Sequence, residues 1–262
     1  MRLIDSHCHI HLAEFDGDRS AVIDRALAAG VEHIIVVGND HATNQVLIKQ
    51  VAQLNHCSIT LGIHPHHVSE WNEIVAGWLE TMLHEHSIVA IGETGLDYFR
   101  NPHSPELQEQ VMRAQIELAM KYNLPVVFHV RDAFLAAQRI IAEYTGLRFI
   151  MHCFTGTERD IEWIIALGGF ISLSGIVTFA KATELQIIAQ KIPADALLIE
   201  TDAPFLAPEP MRGKRCEPAF LPATLQKLAQ LRNIEPELLA EQVYHNTKRA
   251  FGFGDNAKLS VE

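Results

Sequence analysis

Eight short apolar runs recur along this 262-residue chain at near-regular intervals, with stretches of helical spacing between them. Few architectures accept that alternation. The runs fall near 3–6, 33–37, 58–63, 89–93, 126–129, 149–152, 169–172 and 197–201. Between them, 19–29, 42–54, 74–84, 105–122, 133–144, 158–167 and 182–190 repeat apolar residues every three or four positions, as helices with one buried face do. Thr157 stands where an N-cap belongs, and Gly30 and Gly146 stand where helices should stop. Two further helices, 221–232 and 236–251, close the chain. Strand and helix alternating eight times predict an α/β fold of the (β/α)8 or TIM-barrel type. A doubly wound sheet would want a Gly-x-Gly-x-x-Gly turn after an early strand, and the chain has none. With no repeat, low-complexity tract or linker, one domain over 1–262 is expected, and a hydrophobic content of 48% is ample for its core.

Residue types that bind metals gather at the C-terminal ends of these runs, which form the catalytic rim of such a barrel. The first run ends in His7 and His9, the second is followed by Asn39 and Asp40, and the third ends in His64. Glu93, His129 and His152 end the fourth, fifth and sixth; Ser172 and Ser174 follow the seventh, and the eighth leads into Asp202. In an extended segment alternate side chains share a face, so Asp5, His7 and His9 are expected to point one way and Ile4, Ser6 and Cys8 the other. An isolated His-x-His pair is more often structural than ligating. Six metal-type side chains on one rim are not an accident of packing. Barrel closure sets Asp202 beside His7 and His9, pairs His129 with His152, and lets Glu93 bridge. This predicts two divalent ions, Mg, Mn or Zn, held by His7, His9, Glu93, His129, His152 and Asp202. Such a pair clamps an in-line displacement and activates a water, with Asp202 as general base and Glu93 as the bridging ligand.

Other residues suit supporting roles. His64, on the rim, is expected to orient substrate phosphate or move a proton, whereas His66 and His67 lie beyond the strand and read as surface residues. Asp5 and Glu200 lie deeper and are expected to orient the ligands. Arg131 and the basic run Arg212-Gly213-Lys214-Arg215 offer phosphate contacts, with Arg131, Lys214 and Arg215 the candidates for substrate binding. Tyr98, Phe99 and Arg100 could supply stacking and charge for a nucleotide or equally cap the core. A formal charge of −11 excludes a histone-like or repressor-like binder but not catalysis on phosphate, because bound cations reverse the local field. The four scattered cysteines, with Cys8 and Cys153 read as small buried hydrophobes, and a start without a signal-peptide core suggest a cytoplasmic enzyme. No apolar run approaches the roughly 20 residues that span a bilayer.

The chain resembles the TatD family of metal-dependent deoxyribonucleases, within the wider amidohydrolase-like barrels. The stretches that carry the likeness are Asp5-Ser6-His7-Cys8-His9, Gly62-Ile63-His64-Pro65, Gly92-Glu93-Thr94-Gly95-Leu96-Asp97-Tyr98 and His129-Val130-Arg131-Asp132-Ala133. His152-Cys153-Phe154-Thr155-Gly156, Glu200-Thr201-Asp202-Ala203-Pro204 and Arg212-Gly213-Lys214-Arg215 continue it, so that it runs in order almost from end to end. The resemblance implies a (β/α)8 fold, two or more divalent ions, and hydrolysis of DNA phosphodiester bonds, with the family's ligand roles falling on His7, His9, Glu93, His129, His152 and Asp202. Cys216 departs from the Asn common in the family's basic loop. A nuclease acting on single-stranded DNA or DNA ends is therefore expected. A small-molecule phosphoesterase or amidohydrolase with the same metals is the alternative, and a non-catalytic metal binder a third reading. The basic loop and Tyr98–Arg100 favour the first.

Overall fold

The computed structural model describes residues 1–100 and 102–253, so the expected domain over 1–262 includes positions outside the described residues. Eight parallel strands follow one another in chain order: β1 (Leu3–Cys8), β2 (Val31–Val37), β3 (Cys57–Leu61), β4 (Ile88–Asp97), β5 (Val126–Arg131), β6 (Phe149–Met151), β7 (Phe170–Leu173) and β8 (Leu197–Ile199). Between and after them run α1 (Arg19–Ala28), α2 (His41–Val46), α3 (Glu73–Glu85), α4 (Pro105–Lys121), α5 (Phe134–Ile141), α6 (Glu158–Ala166), α7 (Thr183–Ala189), α8 (Leu221–Arg232) and α9 (Pro236–Phe251). The eighth strand returns to the first just past its end. Asp202 N–H donates to the His7 carbonyl at 2.9 Å, and His9 N–H to that of Ala203 at 2.7 Å. The Ser6 hydroxyl donates to the Ile199 carbonyl at 2.9 Å. The chain is the (β/α)8 TIM barrel that its alternation of elements predicts.

Parallel strands in such a barrel are covered on both sides, which is why they read as near-continuous apolar runs. Outside, strand residues such as Leu3, Val36, Ile59, Phe128 and Ile171 pack under the helices. Inside, Ile4, Ile35, Val37, Ala90, Val127, Ile150 and Leu198 form one cluster from six strands, which only the barrel interior permits. Tyr244, Ala250 and Phe251 of α9 join it, making an apolar floor beneath the polar rim.

Two strands break the expected alternation. Ile4 and Ser6 both face inward, Ser6 meeting Ser172 of the non-adjacent β7 at 2.9 Å. His7 is one residue out of step, yet it faces inward too. A register shift between Asp5 and Cys8 supplies the offset, so Asp5 does not share the histidines' face. Its carboxylate instead ties β1 to β8, accepting from Thr201 N at 2.9 Å and Thr201 Oγ1 at 2.5 Å. β4 repeats the device. Ala90 faces inward, and a shift between Ile91 and Thr94 brings Glu93 inward as well. Gly92 and Gly95 flank it at φ 146° and 139°, where a side chain would meet Val127 O at 2.7 Å and His129 O at 2.0 Å. β4 also runs on to Asp97 rather than stopping at Glu93, and the helix expected over 42–54 stops at Val46, with a wider turn over Leu47–Val51.

Candidate metal centre

Seven of the rim residues named from the sequence converge at the barrel mouth. Glu93, buried, lies at their middle. Its Oε2 is 3.4 Å from His7 Nε2 and 3.7 Å from His9 Nε2. Its Oε1 is 2.8 Å from His152 Nε2, 3.0 Å from His129 Nδ1 and 3.5 Å from His64 Nε2. Asp202 Oδ1 completes the first side, 3.4 Å from His9 Nε2 and 3.8 Å from His7 Nε2. One carboxylate therefore faces two sets of nitrogens with its two oxygens.

The outward nitrogens decide what the inward ones offer. His9 Nδ1 lies 2.8 Å from the Val37 carbonyl, His152 Nδ1 3.3 Å from Glu200 Oε1, and His129 Nε2 3.3 Å from Asp97 Oδ2. Each partner only accepts, so each of those nitrogens carries the proton. The opposite nitrogen of each neutral ring then aims a lone pair into the centre, the tautomer a metal needs. Lone pairs and carboxylate oxygens about 3 Å apart repel unless positive charge lies among them, so this donor set fits divalent cations. His64 differs. Its Nδ1 accepts from His66 N at 3.0 Å, so the neutral ring turns an Nε2–H inward, a donor rather than a ligand.

The carboxylates draw positive charge to this centre, a proton where no cation occupies it. Burial alone would raise the Glu93 carboxyl, but His152, His64 and His7 outweigh it and hold Glu93 well below the usual range. Burial would also raise Asp202, yet its hydrogen bond to His9 and the charge of His7 lower it. Burial would depress His152; the Glu93 and Glu200 carboxylates lift it well above the ordinary imidazole value. His129 is raised against its burial by Asp97 and Glu93, and His9 by Asp202. Burial wins at His64 and at His7, leaving both below the ordinary value.

Above the centre opens a cavity of about 800 Å³. Arg131 and Arg100 line it, whereas Lys214 and Arg215 do not. The expectation that Arg215 holds substrate gives way to another role. Its guanidinium grips Asp18 at 2.7 and 2.8 Å, donates to the Glu14 carbonyl, and lies 4.5 Å from the centre of the Phe15 ring. It fastens the loop after β8 to the loop after β1. His66 and His67, read as surface residues, are on the cavity wall. Cys153, expected to be a small buried hydrophobe, lines it as well, while Cys8 is fully buried in the outer core.

One group at the rim has a role that strand-end position does not reveal. Asp97 accepts from His129 Nε2, from His66 Nε2 at 2.9 Å, and from the backbone N–H of Phe99 and Arg100. Its spacing from Glu93, two strand periods, is the signal in the sequence, and a strand ending at Glu93 leaves it out. Glu200, expected to orient ligands, takes both His152 Nδ1 and Cys153 N–H on Oε1.

Residues 4–252 match the family described as TatD related DNase. The chain is 36% identical over 251 residues to the uncharacterized metal-dependent hydrolase YabD of Bacillus subtilis, covering 95% of this chain and 98% of that one. It is 36% identical over 258 residues to the protein from Pantoea ananatis named 3′-5′ ssDNA/RNA exonuclease TatD, covering 95% and 99%. Among solved structures, YJJV, a TatD homolog from Escherichia coli, superposes with a TM-score of 0.91 at 28% identity, over 97% of this chain and 99% of that one.

Proposed function

The chain belongs to the TatD-related DNase family of metal-dependent hydrolases acting on ester bonds, and from that membership and the two-sided placement of Glu93 we propose that it hydrolyses nucleic-acid phosphodiesters with two divalent ions. His7, His9 and Asp202 would hold one ion, His129 and His152 the other, and Glu93 would bridge them. Ions bound there supply Lewis acidity and lower the pKa of a water. The protein's own groups do the rest. Asp202, ionised and lining the cavity, takes the attacking water's proton. His64, kept neutral by burial, presents Nε2–H to the phosphoryl or leaving oxygen. Arg131 and Arg100 pair with no carboxylate among the described residues and line the cavity, free to hold phosphate.

The substrate we propose is a single strand of DNA or RNA taken from its 3′ end, as the names of several relatives have it. The two unpaired arginines at the mouth favour a polyanion over a small amide. No lysine lines the cavity among the described residues, so the carbamylated lysine common in amidohydrolases has no candidate. Free thiols at all four cysteines suit a reducing cytoplasm.

The test is a metal-reconstituted panel of single-stranded DNA, duplex DNA, RNA, a chromogenic phosphodiester and simple amides. Turnover of single strands above the rest is the expected result. Amide turnover without phosphodiester turnover would overturn the reading.

A further inference from the structure

Among the described residues, Phe99 and Phe205 are the aromatic members of the exposed large apolar side chains, 53% and 50% accessible, and both line the cavity over the metal centre. An exposed phenylalanine costs hydrophobic free energy, and two at one cavity mouth point to a ligand with apolar faces. They come from opposite sides, Phe99 after β4 and Phe205 after β8, four strands apart in a barrel of eight. Each is tied to a carboxylate residue of the site. Phe99 N–H donates to Asp97 Oδ1 at 2.9 Å, and Phe205 N–H to the Asp202 carbonyl at 2.9 Å. The Arg131 guanidinium lies 4.1 Å from the Phe99 ring centre, steadying that ring, and the Phe205 ring stands 6.3 Å from that of His9. The rings are thus held at fixed places on the two sides of the reacting centre.

Resting on the nucleic-acid reading above, we propose that Phe99 and Phe205 each stack one of the two bases that flank the scissile phosphate. The phosphate then lies over Glu93, and Arg131 and Arg100 hold the next phosphate on the Phe99 side. A base can lie on such a ring only when its faces are free of the duplex stack. The two rings therefore select unpaired nucleotides, whatever their sequence, because every base has a π-face.

The test pairs changes in the protein with changes in the substrate. Metal-loaded wild type, Phe99→Leu and Phe205→Leu are compared on a short DNA single strand, intact or with an abasic residue on one or other side of the bond first cleaved. Wild type should lose roughly 5- to 100-fold in kcat/KM at either abasic position. Each Leu variant should show a like loss on the intact strand and no added loss when the missing base is the one its ring would hold. Equal cleavage of intact and abasic strands by wild type would overturn the proposal and leave the nuclease reading standing, as would variant and abasic losses that multiply at both positions. Failure of wild type to cleave the intact strand would remove the nuclease reading and the proposal with it.

Discussion

Glu200 reaches no solvent, yet it decides which nitrogen of His152 faces the centre. Glu200→Gln keeps the shape and removes the charge that helps hold the His152 proton on Nδ1. Metal affinity should weaken about 10- to 100-fold, read by competition with a chelator, while the circular dichroism of the fold stays the same. Unaltered affinity would mean that His152 is oriented by something else. Asp202→Asn asks a different question, because Asn fills the same space but takes up no proton. Turnover at saturating metal should fall about 10²- to 10⁴-fold, with KM near wild type. Near-native turnover with metal bound would end the base assignment. The residues that converge at the barrel mouth were legible at this scale because each ends a recognisable apolar run. Asp97, His66 and Arg215 were not, since their roles depend on what lies opposite: a carboxylate looking at two imidazoles, or a guanidinium already taken by Asp18.

Strands and helices were legible from apolar spacing alone, to within a few residues at most ends. The helices expected at 221–232 and 236–251 match α8 and α9 at both ends. What spacing does not carry is register. Two-residue alternation put Asp5 with His7, and the shift within β1 undoes that, because it depends on how β2 meets β1 rather than on any residue of β1. The shift in β4 has a sequence trace, the glycines on either side of Glu93. Gly95 leaves room for the β5 backbone, and an Ala there would set Cβ 2.0 Å from His129 O at a φ of 139°. Gly95→Ala should therefore destabilise the fold by about 2–4 kcal/mol and push His129 away from Glu93. Urea unfolding reads the first effect and metal content the second. A variant of wild-type stability would show that β4 and β5 can separate at no cost.

Two properties belong to the molecule as a whole, its stability against acid and its response to salt. Burial pushes His33 on β2 down from 6.5 to about 4, with the neighbouring His56 adding to it. The unfolded chain takes up a proton between those values that the folded one refuses, so this contribution is intact above pH 6.5 and is lost as pH falls toward 4. The size is about 3 kcal/mol, and His33→Gln should flatten the fall in unfolding free energy over that window by nearly one proton. An equal slope in both proteins would show that His33 is already charged when folded. Salt dependence follows from how the cations are spent. A chain of formal charge −11 repels a polyanion at long range, so binding depends on the few cations that carboxylates leave free near the centre. Arg25, Arg113, Arg139, Lys191 and Arg215 all sit in ion pairs. Arg100 and Arg131 are in none among the described residues, and both line the cavity. Each phosphate contact on a single strand contributes roughly 0.7 to the slope of log affinity against log salt. Replacing Arg100 and Arg131 with Ala should lower that slope by about 1.4. Arg215→Ala should leave it as it was, since Asp18 already neutralises that guanidinium. A slope that responds to Arg215 and not to the cavity arginines would return the phosphate grip to the loop after β8 and take Arg100 and Arg131 out of the binding surface.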